Sequence, residues 1–218
     1  MPPKPAAPVD GPESFQTAAG VSRETRDRLA RYVERLTRWN RAINLVAPRS
    51  LPEVWHRHVL DSAQLWPLLP EAPAGRARRL VDLGSGAGFP GLVLAILGAG
   101  EVHLIESDTR KATFLREAIR ETGAPAQVHA TRIADAPEIN ADVVTARALA
   151  PLSELLDHAA GFLADGGVAL FHKGQRAPEE LTAARKAWKI AVQQFPSQTD
   201  PGGHILHIEV RGRGESTK

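Results

Sequence analysis

The sequence of 218 residues contains no cysteine. This absence excludes disulfide bonds, zinc sites with cysteine ligands and catalysis by a thiolate nucleophile. Long hydrophobic runs are missing as well, since no apolar stretch reaches the ~20 residues that a membrane span requires. Because no secretory signal pattern is present either, we expect a cytoplasmic protein without a membrane partner.

Net charge is also small, but the basic residues are unevenly placed. The formal net charge is +2, whereas residues 1–60 alone carry ten Lys and Arg against six Asp and Glu. This local excess is consistent with an anionic partner that touches the N-terminal part of the chain. A solvated, arginine-rich helix face is the commoner explanation of such a run.

Composition divides the chain into three predicted segments. Residues 1–20 contain five prolines and few large apolar side chains, which cannot bury enough surface to offset the entropy of ordering, so we predict a disordered tail. Residues 21–70 are predicted to form a helical segment packed on the core. Residues 71–218 are predicted to form the main domain.

Two helices are predicted within the N-terminal segment. The first begins after Ser22, a plausible N-cap, and ends near Asn40. Its apolar residues recur at helical spacing, at Leu29, Val33, Leu36 and Trp39.

The second predicted helix begins with a capping-box pattern, formed by Ser50 and Glu53, and continues to the prolines at 67 and 70. It carries His56 and His58, which are two residues apart and therefore point to different sides of a helix. We expect ordinary hydrogen-bonded or packed imidazoles there and no metal site.

Strand and helix patterns alternate from residue 79 onward, which indicates a mostly parallel sheet with helices on both faces. The last two strands lack an intervening helix and predict a hairpin at the sheet edge. The predicted strands cover 79–83, 101–106, 126–131, 142–146, 167–172, about 190–195 and 204–210, and the predicted helices cover 89–98, 110–121, 151–163 and 178–188.

The most informative stretch is VDLGSGAGFPG, residues 81–91. Gly84, Gly86 and Gly88 allow a tight turn and let a ligand lie directly against the main chain. A glycine-rich turn between a strand and a helix N-terminus is typical of a nucleotide-type site.

Two cofactors compete for this turn. Gly86-x-Gly88-x-x-Gly91 fits the dinucleotide fingerprint, with Glu106 about 20 residues on as a ribose-binding acid, and favours an NAD(P)-dependent oxidoreductase. Asp82 favours S-adenosylmethionine instead, because a carboxylate beside the turn repels a pyrophosphate and attracts the sulfonium and ammonium groups. The alternative for Asp82 is a carboxylate that only caps backbone N–H groups of the turn.

Three basic residues follow later strands of the predicted sheet, at the edge where ligands bind in such folds. Arg132, Arg147 and Lys173 are therefore expected to contact a nucleic acid, since each can bind a phosphate or a base edge. The alternative for each is a surface cation paired with a nearby acid.

Residues 145–151 read TARALAP, whereas methylation of exocyclic base amines commonly uses an Asn/Asp-Pro-Pro-aromatic loop at this place. C5 methylation through a covalent adduct needs a cysteine, which is absent. An acceptor that is already nucleophilic, such as a ring nitrogen with a free lone pair, fits both observations.

Several motifs together resemble one known family, the GidB/RsmG family of bacterial 16S ribosomal RNA guanine-N7 methyltransferases. The resemblance spans about residues 22–210. The motifs that carry it are NLV at 44–46, RHVLDS at 57–62, VDLGSGAGFPG at 81–91, IES at 105–107, FLR at 114–116, TARA at 145–148 and HKG at 172–174.

The resemblance implies a Rossmann-like, class I S-adenosylmethionine-dependent methyltransferase sheet with an N-terminal helical extension, acting on 16S ribosomal RNA of the small subunit. Apart from the resemblance, we expect a monomer. It places S-adenosylmethionine against Gly84, Phe89, Ile133, Ala134 and Arg147. Arg147 would also lie near the site of methyl transfer as the catalytic residue.

The same resemblance implies that Arg132 and Lys173 face the RNA. Glu106 departs from the family, which often has Asp there, but keeps the carboxylate. A module that binds cofactor or RNA without turnover stays open as a further alternative.

Overall fold

The computed structural model describes residues 8–214, so the part of the predicted tail at residues 1–7 lies outside the described residues. One seven-stranded sheet dominates the fold, in the order β3-β2-β1-β4-β5-β7-β6. Its strands are β1 Arg79–Leu83, β2 Glu101–Ile105, β3 Ala126–His129, β4 Ala141–Arg147, β5 Leu163–Lys173, β6 Trp188–Pro196 and β7 His204–Arg213.

The pairing confirms the predicted mixed sheet. β1 to β5 pair in parallel, whereas β7 pairs antiparallel with both β5 and β6. β6 and β7 therefore form the predicted hairpin at one edge of the sheet. β6 is the edge strand, and β7 lies between β5 and β6. Because the chain order reverses between β1 and β4, a crevice opens beyond the carboxyl ends of these two strands.

Helices cover both faces of the sheet and bury two apolar clusters. One cluster joins the sheet to the N-terminal helices and to the helices that follow β1 and β2; the other lies under the helices that follow β4 and β5. The helices are α1 Pro12–Ala19, α2 Arg23–Trp39, α3 Asp61–Ala63, α4 Gly91–Leu97, α5 Thr109–Thr122, α6 Leu152–Ala160 and α7 Ala177–Ala187. None of these described helices is long and apolar enough to cross a membrane.

Helix α2 forms as predicted, with the Ser22 hydroxyl accepting a hydrogen bond from the Thr25 N–H at 3.1 Å. Two of its arginines bind within the molecule: Arg28 donates to backbone carbonyls at the end of α5, and Arg35 pairs with Glu117 and Glu121 of α5. Part of the basic excess therefore holds α2 against the core.

The predicted second helix is wrong in detail. A 3-10 helix over Pro48–Glu53 runs into a π-helical stretch at Trp55–Leu60, then into α3 and a further 3-10 turn at Trp66–Leu68. The Ser50 hydroxyl caps no helix, since it donates to the Ala47 carbonyl at 2.7 Å. Widening the helix by one residue per turn changes which side chains face the sheet.

The predicted disorder of residues 1–20 is wrong for the residues that form α1. Phe15 of this helix is fully buried, with its ring 5.7 Å from that of Trp55, and Val9 is buried just before it. Average composition missed this helix because two apolar side chains are enough to anchor a short segment when a complementary surface exists elsewhere in the chain.

Candidate active site

The glycine turn after β1 forms the floor of the site. Gly84, Gly86 and Gly88 have φ values of 63°, 57° and 98°, in the left-handed region that other residues rarely adopt. A Cβ at Gly88 would lie 2.9 Å from the Cβ of Leu92, so this glycine lets the turn pack closely on α4. The backbone of the turn is thus open on one side and tightly packed on the other.

Asp82 lies behind the turn, where only 1% of the residue is exposed. Its carboxylate accepts hydrogen bonds from the Thr145 hydroxyl at 2.7 Å and from the Gly91 N–H at 3.2 Å. Burial raises its pKa to about 6. Asp82 thus caps a backbone N–H, the alternative that the sequence left open, and its contact with a cofactor stays a prediction.

Glu106 ties the turn to the end of β2. One carboxylate oxygen accepts the Gly86 N–H at 2.7 Å, and the other accepts the Asp108 N–H at 2.7 Å. Each oxygen keeps a further lone pair, so the carboxylate can support the turn and still accept from a ligand hydroxyl.

A cavity of about 840 Å³ opens in front of the turn, between the π-helical segment and the carboxyl ends of β4 and β5. It brings together five of the predicted residues, namely Gly84, Gly86, Phe89, Arg147 and Lys173. His58, Asp61 and His172 also line it. Neither Asp61 nor His172 was singled out from the sequence, and His58 was expected to be an ordinary hydrogen-bonded or packed imidazole.

Arg147, at the end of β4, is the central side chain of the cavity. Its guanidinium carbon lies 5.1 Å from the centroid of the Phe89 ring, in a cation–π arrangement. Its Nη1 group contacts the Arg57 carbonyl, the His58 Nδ1 at 3.1 Å and the Asp61 carboxylate at 3.2 Å. Among the described residues, all hydrogen bonds of the Arg147 side chain are donated by Nη1. Its Nε and Nη2 groups therefore stay available to a ligand.

His58 packs flat against Phe89, with ring centroids 5.0 Å apart. Because Arg147 donates to Nδ1, the ring proton must sit on Nε2, which donates to the Ser50 hydroxyl at 2.9 Å. Burial and the nearby Arg147 charge lower the pKa of His58 to about 4. This imidazole is therefore neutral at pH 7, and its contacts leave it no free basic nitrogen.

Asp61 connects the cavity to three other parts of the fold. Its Oδ1 accepts from the Gln64 amide at 2.8 Å and from the Thr199 hydroxyl at 2.5 Å, in the loop between β6 and β7. Its backbone carbonyl accepts from His172 Nε2 at 2.9 Å. Both Asp61 and His58 belong to the RHVLDS motif, the only sequence signal that could have pointed to them.

Lys173 is not the exposed RNA contact that the sequence predicted. Its side chain is only 9% exposed, and its ammonium pairs with Glu180 at 2.5 Å. The alternative of a cation paired with a nearby acid is correct, although the pair is partly buried at the wall of the cavity. The sequence predicted a helix at 178–188 but not its packing, so it could not show that Glu180 of α7 would pair with Lys173.

The three predicted residues after β3 lie outside the cavity. Arg132 is exposed and forms no ion pair with any described residue, whereas Ile133 and Ala134 begin a 3-10 turn at the same edge of the sheet. Their contacts with cofactor and RNA stay predictions. Likewise, no group of three or more His, Cys, Asp or Glu that could hold a metal ion occurs among residues 8–214.

The strand order, with β7 antiparallel between β5 and β6, is that of the class I, Rossmann-like methyltransferase fold. Two solved structures share this fold. An S-adenosylmethionine-dependent O-methyltransferase from Thermotoga maritima superposes with a TM-score of 0.55 at 15% identity, covering 84% of this chain and 73% of that one. A mutant of MtNAS in complex with S-adenosylmethionine superposes with a TM-score of 0.57 at 12% identity, covering 91% and 83%.

Sequence relatives are more specific. Residues 25–206 match the GidB family, described as rRNA small subunit methyltransferase G, and the chain belongs to this family. Proteins named ribosomal RNA small subunit methyltransferase G include one from Rhodospirillum centenum, 60% identical over 95% of both chains. Another, from Paramagnetospirillum magneticum, is 54% identical over 94% of this chain and 98% of its own length. Neither the oxidoreductase nor the module without turnover is favoured.

The neutral state of His58 makes a testable prediction about stability. Its pKa is about 4 in the fold against 6.5 for an ordinary histidine, so between these pH values the unfolded chain binds more protons. Stability must therefore fall as the pH is lowered from 6.5 toward 4. We expect His58→Gln to reduce the slope of unfolding free energy against pH by close to one proton over this window, measured by urea unfolding.

His158→Gln is the matched control, because His158 lies on α6 far from the cavity. It should leave more of the slope intact than His58→Gln. A His58→Gln slope equal to that of the unchanged protein would show that His58 is not held neutral.

Proposed function

We propose that this protein transfers the methyl group of S-adenosylmethionine to N7 of a guanine in 16S ribosomal RNA of the small subunit. The observation that carries the proposal is membership of the rRNA small subunit methyltransferase G family over residues 25–206. The cavity supports it, because an aromatic ring, an arginine and a glycine turn meet there. Monomeric action in the cytoplasm is proposed with it, from the sequence alone.

The glycine turn fits the cofactor. Gly84 and Gly86 leave their backbone without a Cβ at the cavity floor, and Glu106 supports the turn from behind with acceptor capacity to spare for ribose hydroxyls. S-adenosylmethionine supplies an electrophilic methyl group on a sulfonium. Ile133 and Ala134 are proposed to contact the adenine from the edge of β3.

The proposed acceptor atom is one that needs no general base. Guanine N7 has an in-plane lone pair and no proton, so it requires no base to activate it. His58 suits this reaction, because its Nδ1 is occupied by Arg147 and its pKa is lowered to about 4 by burial. The residues here orient groups rather than move protons.

Arg147 is proposed to orient the guanine. Its unpartnered N–H groups can donate to O6, a hydrogen bond that arginine commonly makes with guanine. The charge of Asp61, 3.2 Å from Nη1, offsets that of the guanidinium, so a second cation beside the sulfonium is partly neutralised. Phe89 fixes the plane of the guanidinium.

The RNA is proposed to present this guanine unpaired. The major groove of A-form RNA is deep and narrow, which hides N7 of a stacked base. Arg132 is exposed at the edge of the sheet and is proposed to bind a phosphate beside the cavity. Exposed arginines of the N-terminal segment are proposed to add a weaker, salt-dependent attraction.

The decisive experiment is transfer of a labelled methyl group from S-adenosylmethionine to small ribosomal subunits and to naked 16S RNA, followed by mapping of the modified nucleotide. We expect a single guanine to be labelled at N7. Label on another atom would contradict the acceptor, and no transfer to either substrate would contradict the proposed function.

The cofactor site is tested by Glu106→Gln. We expect S-adenosylmethionine affinity, measured by isothermal titration, to fall by ~1–3 kcal/mol, because an amide cannot accept from Gly86, Asp108 and the ribose at once. Glu101→Gln, an exposed acid on the same strand, is the control and should bind normally. Unchanged affinity in Glu106→Gln would remove Glu106 from the site.

A further inference from the structure

A partly buried ion pair lines the cavity on the side of β5 and α7. The Lys173 ammonium lies 2.5 Å from the Glu180 carboxylate, and the two side chains are 9% and 16% exposed. Lys173 belongs to β5 and Glu180 to α7, so the pair joins two elements that the methyl-transfer proposal leaves without a role. Burying two charges is costly, and such a pair is informative only through what else it binds.

Both charges also bind the loop that leads out of β4. Lys173 donates to the Ala150 carbonyl at 3.0 Å, and the Glu180 carboxylate accepts the Leu152 N–H at 2.8 Å. Between these two contacts lies Pro151, which has no N–H of its own to donate. The ion pair therefore fixes the loop on both sides of the proline.

The loop, residues 148–151, has two unusual features. Ala148 has a φ of 51°, a left-handed conformation that costs free energy for any residue with a Cβ and persists only where the surroundings hold it. Leu149 is 39% exposed. Trp66 is the only other exposed large apolar side chain among the described residues. A strained backbone and an uncovered leucine occur together, directly after Arg147.

Leu149 lies against the glycine turn. A Cβ added to Gly84 would be 2.7 Å from Leu149 Cδ1, so the leucine side chain packs directly against Gly84, which lines the cavity. The exposed apolar surface of Leu149 therefore lies beside the turn on which we propose that the cofactor rests.

We propose that Lys173 and Glu180 act together as positioning residues, which hold loop 148–151 so that Leu149 forms one wall of the methyl-donor site. The proposal rests on the proposed function, because the donor site is that of S-adenosylmethionine. It replaces direct RNA binding by Lys173 with an indirect effect on the cofactor. Since loss of either partner leaves the other charge partly buried and unpaired, each single loss should release the loop.

A double-mutant cycle tests this role. Lys173→Met, Glu180→Gln and the double variant are compared for S-adenosylmethionine affinity by isothermal titration and for kcat and KM of methyl transfer. We expect each single variant to raise the KM for the cofactor about tenfold, with a further fall in kcat/KM, because a displaced loop misaligns the reacting groups. The double variant should be no worse than the single ones, as expected for residues that act as a unit.

Leu149→Ala supplies a variant that should fold, because the side chain is partly exposed. It should weaken cofactor binding while leaving RNA affinity intact. Lys186→Met and Glu179→Gln, exposed residues of α7, are the matched controls and should behave as the unchanged protein. Unfolding temperatures are measured for every variant. A variant that is only less stable would keep the cofactor KM of the unchanged protein at temperatures well below its unfolding transition.

Two results would overturn the proposal. Weaker RNA binding in Lys173→Met, with normal cofactor binding and no effect of Glu180→Gln, would show that Lys173 touches RNA. Additive losses in the double variant would show that the two residues act separately. Failure of the proposed function would give a different result, because the unchanged protein itself would then transfer no methyl group to small-subunit RNA.

Discussion

The contact between the Asp61 carboxylate and the Arg147 guanidinium is the constraint on which the cavity depends. Asp61 is almost buried, and a buried carboxylate must be paired and hydrogen-bonded to be tolerated. It meets this requirement with Arg147, Gln64 and Thr199, which come from different parts of the chain. Satisfying one charge therefore joins the N-terminal segment, β4 and the last hairpin around a single cavity.

Local patterns predicted the parts of the fold that local physics decides. The alternation of strands and helices, the Ser22 cap and the glycine turn were readable because each is set by residues within a few positions. Arg147 was placed correctly because it ends a strand whose edge is known to hold ligands. The position of a residue on an element, however, does not say what will cover it.

Long-range pairing explains what the sequence did not reveal. Asp61 and Thr199 are 138 positions apart, and Lys173 is partly buried only because α7 brings Glu180 over it. Asp82 looked like a ligand group because its neighbours are glycines, yet the same glycines allow the turn to fold back and use its carboxylate as a cap. In each case a partner from elsewhere in the chain, or from the far side of a turn, decided between the alternatives.

In the proposed mechanism the cavity promotes methyl transfer by orientation, with no side chain acting as a base. Its most direct test is the single-turnover rate at saturating cofactor and RNA as a function of pH. Because the pKa of His58 is lowered to about 4 and that of Asp82 reaches only about 6, the account predicts a rate that is nearly flat between about pH 6.5 and 8.5. A slope near one in log rate against pH across that range would contradict it.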